Sequence, residues 1–390
     1  MTKKLKILIV TDVFPPRCTG AGWSTYHLCR ALRARGHEVT VLMPGKSGRR
    51  AYDKFDIRQY GSRLSRELDY KALRKGIEEM DARVKPDAVH AQHMVSCRAL
   101  ANARIKAKKL CTVRDYWPSF YDGTMFNFSK KQNYTKRNSY LATMHSIFVK
   151  NGPILKILSP LAALYMKWRT SHALKSLRRM DRVLCVSNSV RLKTPIKPEK
   201  KAVVENIVDV ERNSRHLKKE FTGDIVFAGN FNHAKGALEA AETVGSLPFS
   251  VYKRAVFVGD GPLMRKMKKK AGSKAHFTGR VENDAVLEAM AGSLVLLPAN
   301  WDEPLSRTAI EALSVGACVV ASPTGGTPEI IEDGKNGSLC MPKTDVLRAE
   351  ILRVLKYDKE YYMHNSLASA KRFDKDSVVH KYESLYTSEH

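Results

Sequence analysis

Runs of consecutive apolar residues, each followed by a turn-forming stretch and then a helical repeat, recur along the chain. In the first half they fall at residues 7–10, 37–42, 87–91, 110–113, 183–189 and 202–209. In the second half they begin at Asp224, Ala255, His276, Ser293, Ala317 and Ser338. Unbroken apolar runs of this length suit strands buried on both faces of a parallel sheet. Helical spacing follows several of them: Tyr26, Leu28 and Leu32 before Gly36, then residues 69–84 and 284–291, and Ala309, Ile310, Ala312 and Leu313 before Gly316. Strand, turn, helix, strand in repetition predicts an α/β chain with parallel sheets. Residues 49–85, which include the helical stretch 69–84, stand apart as charged and weakly periodic.

Residues 300–322 concentrate the chemistry. A strand at 293–298 leads into a turn holding Glu303 and Pro304; a helix follows from near Leu305 and Ser306, and a second strand runs over 317–321. Open α/β sheets place ligands at such turns, outside the carboxyl ends of strands. The helix start offers unpaired N–H groups and a positive dipole end, which suits a phosphate. Glu311, inside the helix, is placed to accept hydrogen bonds from hydroxyls, as acidic residues do with a ribose. A second glycine-bearing loop, residues 12–22 with Gly20 and Gly22, precedes the first helix. It lacks the Gly-x-Gly-x-x-Gly spacing of dinucleotide sites, so a nicotinamide or flavin cofactor is not indicated.

Composition changes this picture in one respect. The 390 residues suit two domains, and 43% hydrophobic with 27% charged residues is ordinary, but a net charge of +28 implies an anionic partner. Seven scattered cysteines form no Cys-x-x-Cys pair, which reads as reduced thiols in a cytoplasmic protein. His90 and His93 have no third ligand at a useful spacing, so no metal site is expected. The amino-terminal apolar run is too short for a signal peptide, and no stretch is long and apolar enough to span a bilayer.

The Glu303-x7-Glu311 spacing in its strand–turn–helix setting resembles the signature of retaining glycosyltransferases of the GT-B fold, specifically family 4. Other stretches carry the same resemblance: two prolines and glycines before the first helix, then Gly-His-Glu-Val-Thr-Val from Gly36, Lys235 before Gly236, Gly-Arg at 279–280, and Gly-Gly, Pro-Glu and Asn-Gly between 325 and 337. The resemblance implies two Rossmann-like domains with parallel sheets facing across a cleft. Residues 1–210 would bind the acceptor, residues 211–372 the nucleotide sugar, and residues 373–390 would cross back as a helix. A linker is expected in the basic, polar run 211–222.

By the same resemblance, Lys235 and the helix start at Pro304, Leu305 and Ser306 hold the donor diphosphate without a metal ion. Glu303 holds the sugar, Glu311 holds the ribose, and Arg280 and Val281 lie near the base. Gly20, Gly22 and Gly229 line the approach to the donor. Three positions depart from relatives: Thr19 for a glycine, Arg114 for a histidine beside the transferred sugar, and Asn230 for an arginine of the diphosphate clamp. Arginine is no base near neutral pH but can bind phosphate or a sugar hydroxyl, so Arg114 is placed as an electrostatic contributor. The implied activity is transfer of a hexose from a nucleotide-diphosphate sugar to an acceptor hydroxyl, with no cofactor. The alternative is a catalytically weak nucleotide-sugar-binding partner or regulator, supported by those three departures.

Residues 129–182 hold twelve Lys or Arg against one acid, Asp181, interleaved with Leu161, Leu164, Tyr165 and Trp168 among other apolar residues. Two readings stand level: a helix lying on an anionic lipid surface, or a core helix with a solvated basic face. A nucleic-acid surface ranks third, because no nucleic-acid module accompanies the charge. The first reading suggests a lipid-linked or membrane-surface acceptor and peripheral attachment at the inner membrane face.

Overall fold

Apolar residues at 7–10 put β1 (Lys6–Val10) in the interior of the first of two large sheets. The computed structural model describes residues 3–16, 18, 20–45, 48–61, 70–127, 132–133, 140–150 and 158–388. They divide into two compact units, the first from residues 1–124, 136–207 and 375–390, the second from 125–135 and 208–374. Thr19 lies outside the described residues, as do Lys130, Lys131, Lys136, Arg137 and Lys156 of the basic stretch.

The first unit contains β1, β2 (Glu38–Pro44), β3 (Gly48–Tyr52), β4 (Phe55–Tyr60), β5 (Ala88–Ala91) and β6 (Lys108–Val113). Residues 125–135, which belong to the second unit, carry a two-stranded hairpin of β7 (Phe126–Asn127) and β8 (Gln132–Asn133); in the first unit β9 (Arg182–Cys185) and β10 (Lys201–Val203) complete the sheet. Its order is β10-β9-β6-β5-β1-β2-β4-β3, parallel except for β3 on β4. The order reverses beside β1, with β2 on one side and β5 on the other. The helices labelled here are α1 (Gly20–Ala34), α2 (Tyr70–Val84), α3 (Met94–Asn102), α4 (Tyr140–Lys150) and α5 (Ser159–Arg178).

Three local outcomes differ from the sequence reading. The charged stretch after residue 48 forms β3 and β4; at a sheet edge only one face is covered, so Phe55 and Ile57 are buried while their neighbours stay polar. Gly20 and Gly22 sit in the first turn of α1 and not in the loop before it. A Cβ on Gly22 would lie 2.5 Å from Cys18 Sγ, so that glycine admits a close contact. The run 211–222 is no free linker: Val210–Asn213 is helical, Asp209 caps it through Arg212 N (3.1 Å), and buried Asn213 donates to Ser314 Oγ at 2.9 Å.

The helix Lys375–Thr387 belongs to the first unit and buries Val378, Val379, Tyr382 and Tyr386 in its core. Glu383, also buried, accepts both arms of Arg35 at 3.0 Å and His37 Nε2 at 2.9 Å. Burial by itself would raise this carboxyl, but the bonds from Arg35 and His37 outweigh it and hold the group below the ordinary glutamate range. A depressed folded value means stability present above the unfolded pKa and lost as pH falls through the folded one. Glu383→Gln is therefore expected to lower the thermal midpoint at pH 7, with the gap from the parent closing in acid below about pH 4. An equal gap at both pH values would show that the charge contributes nothing.

The second unit contains β11 (Ile225–Ala228), β12 (Ala255–Val258), β13 (Ala275–Gly279), β14 (Leu294–Leu297), β15 (Cys318–Ala321) and β16 (Gly337–Leu339). They form an all-parallel sheet in the order β13-β12-β11-β14-β15-β16. The strand order reverses between β11 and β14. Where the chain enters and leaves this unit, Val208 N donates to Phe373 O (3.0 Å) and Val210 N to Asp374 Oδ1 (3.0 Å).

Candidate active site

The loops that leave the carboxyl ends of β11 and β14 are fastened to each other. Asn300 N donates to Ala234 O and Asn300 Nδ2 to His233 O, both at 2.9 Å. Gly236 makes this approach possible: its φ is +65°, and a Cβ there would stand 1.7 Å from Pro298 O. One loop thus delivers Lys235 and the other Glu303, with Lys235 Nζ donating to Glu303 Oε2 at 2.5 Å. Trp301 Nε1 donates to the same oxygen at 2.8 Å, and the Lys235 ammonium lies 5.4 Å from the Trp301 ring centroid. Oε1 of Glu303 accepts nothing among the described residues, and an ammonium with three donors retains capacity beyond this one bond.

The Glu303 backbone is held as closely. Gly326 N donates to its carbonyl at 2.7 Å, and Gly325, with φ +59°, leaves no room for a Cβ, which would fall 2.1 Å from that oxygen. Beyond buried Pro304 and Leu305, Ser306 caps the helix Arg307–Ser314 by accepting from Ala309 N at 3.2 Å. The cap satisfies one first-turn donor, and the helix dipole leaves positive potential at this end.

A cavity of about 350 Å³ opens beside this cluster, lined by Gly229, Asn230, Arg280, Val281, Thr308 and Glu311 among others. A smaller one of about 40 Å³ holds Lys235, Glu303, Ser306 and Thr327, and shares Gly229 and Thr308 with it. Glu311 is buried and accepts from Arg307 Nε at 2.9 Å. Arg307 Nη1 is buried without a hydrogen-bond partner among the described residues. The site therefore sets fixed positive charge and a helix start beside two carboxylates. That combination suits an anion carrying a hydroxyl-rich group.

Arg114, Gly20 and Gly22 lie in the first unit. Arg114, just past β6, donates through Nη1 to Asn206 Oδ1 and through Nη2 to Gln92 Oε1, both at 2.6 Å. The helix start at α3, beside the first sheet's own reversal point, is filled by Asp12, which accepts from Val95 N (3.1 Å) and Ser96 N (2.8 Å). That carboxylate occupies the place an external anion would take. His90 places Nδ1 2.8 Å from Tyr386 Oη and Nε2 2.7 Å from Thr112 Oγ1, and burial with the nearby Arg114 charge lowers its pKa to about 3. With both nitrogens occupied it is a structural histidine.

Asp115 follows Arg114 and accepts from Trp117 N at 2.8 Å. Burial pushes its carboxyl up to about 6, against that bond and with help from Asp122. A raised folded value gives stability present below the ordinary aspartate pKa and lost as pH rises through 6. Asp115→Asn should remove that loss, so the variant gains up to about 2–3 kcal/mol over the parent between pH 4 and pH 7 in urea unfolding. Parallel pH profiles for the two proteins would reject this.

Sequence reasoning misses Trp301 and Arg307, and it takes Gly325 only as part of a Gly-Gly resemblance, not for its contact with Glu303. Arg307 and Glu311 stand four apart on one helix, a spacing that signals their pairing. Trp301 reaches Glu303 within one loop, whereas the close approach of Gly325 to Glu303 depends on how the loop after β15 folds back.

Comparison with known proteins matches a family model to each half of the chain. Residues 222–357 match the family described as Glycosyl transferases group 1, and residues 19–212 match Glycosyltransferase Family 4. The chain belongs to the group 1 glycosyltransferases. This glycosyltransferase is 26% identical over 234 residues to the N-acetyl-alpha-D-glucosaminyl L-malate synthase of Bacillus anthracis, an alignment spanning 54% of the chain and 60% of that relative. Among solved structures, Alr3699/HepE of Anabaena in complex with UDP superposes with a TM-score of 0.70 at 16% identity, covering 99% of this chain and 100% of that one. The same protein in complex with UDP-glucose gives 0.68 at 17% identity, covering 98% and 100%. The fold of this glycosyltransferase is GT-B, with two parallel-sheet domains.

Proposed function

We propose that this glycosyltransferase moves a hexose from a nucleotide-diphosphate sugar to an acceptor hydroxyl, with retention at the anomeric carbon and without a metal ion. The observation that carries the proposal is the meeting of Lys235 and Glu303 at the reversal point of the second sheet, beside the start of the helix Arg307–Ser314. Similar folds solved with UDP and UDP-glucose support a nucleotide sugar as donor.

The diphosphate rests against Lys235 and the first turn of that helix, whose fixed dipoles and cation stabilise the charge that grows on the leaving group. Pro304, Leu305 and Ser306 set the helix start; Gly229, with no side chain, leaves space beside it. Glu303, anchored through Oε2 by Lys235 and Trp301, offers Oε1 to a sugar hydroxyl and negative potential to the anomeric carbon. The ribose falls to Glu311, and the base to the wall formed by Asn230, Arg280 and Val281. In the first unit Arg114 contributes electrostatically as a guanidinium fixed by Gln92 and Asn206, Gly20 leaves open space at the start of α1, and Gly22 admits the close approach of Cys18.

In the transfer step the acceptor oxygen bonds to the anomeric carbon as the bond to the phosphate oxygen breaks on the same face. The departing phosphate takes the acceptor proton. The acceptor class proposed is a lipid-linked or membrane-surface glycan, in keeping with the cationic chain.

A panel of nucleotide sugars, scored by thermal shift and by released nucleotide with and without a chelator, tests the reading; the anomeric configuration of the product tests retention. One nucleotide sugar is expected to stabilise the protein and release nucleotide equally with the chelator present. Stabilisation without turnover across all acceptors would favour a binding partner, a reading to which Asn230 in place of an arginine lends support. No response to any nucleotide sugar would overturn both.

A further inference from the structure

On α5, Ala163, Thr170, Ala173 and Leu177 are buried against the first unit, and a second apolar face points to solvent. Leu161 is 68% exposed, Leu164 61%, Trp168 47% and Tyr165 45%. At about 100° per residue these four fall within an arc of about 100°, a single stripe along the helix. Tyr165 and Trp168 stack at 6.0 Å between ring centroids with planes 26° apart, so the aromatic part of the stripe is already ordered. The adjoining α4 adds exposed Leu141 and Phe148. A soluble monomer rarely leaves so many large apolar side chains together in water, and such patches mark interaction sites.

Charge selects the partner. Residues 159–180 carry five Lys or Arg and no Asp or Glu, and Lys167, Lys175 and Arg178 of α5 are exposed. A protein partner would need an apolar patch rimmed with acids to match. An anionic bilayer offers both features over its whole surface: acyl chains for the leucines, a headgroup layer for Tyr165 and Trp168, and negative potential for the cations. No helix among the described residues is long and apolar enough to cross a membrane, and Lys167 and Arg169 interrupt this one.

We infer that α5 is a membrane-docking helix, lying in the interface of an anionic bilayer with Leu161, Leu164, Tyr165 and Trp168 immersed and its cations among the lipid headgroups. The inference deepens the acceptor class proposed above and rests on that reading only for its purpose. Docking itself needs neither donor nor acceptor, so it can fail or succeed independently of the transfer reaction.

The test uses the full chain, without nucleotide, in flotation with vesicles of phosphatidylcholine alone or mixed with phosphatidylglycerol. Binding is expected only to the mixed vesicles, weakening as salt rises. Leu161→Ser/Leu164→Ser/Trp168→Ser should weaken it at least about tenfold, since each change withdraws apolar surface from the lipid. Its thermal midpoint should match the parent, because all three side chains are exposed. Lys167→Glu/Lys175→Glu should reduce the preference for the mixed vesicles while keeping the fold. The inference is overturned if the parent ignores mixed vesicles at low salt, or if the triple variant floats as well as the parent. It is equally overturned if the stripe drives self-association in solution while vesicles go unbound.

Discussion

Lys235→Ala is expected to lower kcat by about 10²–10³-fold, the usual consequence of removing one fixed donor aimed at charge that develops in a transition state. Donor affinity should fall as well, by about tenfold, because a charge-assisted hydrogen bond to the diphosphate is lost. The fold should survive: Lys235 is partly exposed, Asn232 and Asn300 still hold the two loops, and Trp301 still donates to Glu303. Isothermal titration with the identified donor, together with initial rates, reads both effects. Parental kcat in the alanine variant would remove Lys235 from the mechanism and with it the proposal that a side chain takes the place of a metal ion.

The second large effect comes from a residue without a side chain. Gly325→Ala should cost transfer activity at least about tenfold, since a Cβ 2.1 Å from the Glu303 carbonyl forces that loop to move, and misplacing a catalytic group by an ångström is expensive. Gly334→Ala is the matched control. Its φ of +76° carries a similar conformational penalty of about 1 kcal/mol, but a Cβ there meets nothing within 4 Å. Both variants should lose stability in urea; only Gly325→Ala should lose kcat beyond what its folded fraction explains. Equal activity in the two would show that Glu303 tolerates displacement.

The sheets were legible because their strands are buried on both faces: runs such as Ile7–Val10 and Cys318–Ala321 leave little room for another reading. The β3–β4 hairpin at one end of the sheet was not, since it needs only Phe55 and Ile57 to face inward and the rest of it is largely polar. Within the site, Lys235, Glu303 and Glu311 could be picked out because the strand–turn–helix stretches that carry them resemble those of a known family. Gly325 acts through a contact with Glu303 in another segment, which no spacing along the chain encodes, while Trp301 bonds Glu303 from two residues before it in the same loop. The exposed stripe of α5 was hard to separate from a core helix for a related reason. Apolar residues on opposite sides of one helix cancel in any one-sided measure of amphipathicity, so only burial tells which side meets the protein.

The helix Lys375–Thr387 has a bearing on how the protein is made. Its tyrosines and Glu383 complete a core whose other members begin at Leu5, so β1 and α1 wait for a helix synthesised much later, with His37 and Glu383 346 residues apart, before that core can close. Until then Leu5 and its neighbours on β1 and α1 present unfinished apolar surface, a window in which a chaperone would find its client. A chain halted at Asp374 should accordingly yield a sound second unit and an aggregation-prone first one.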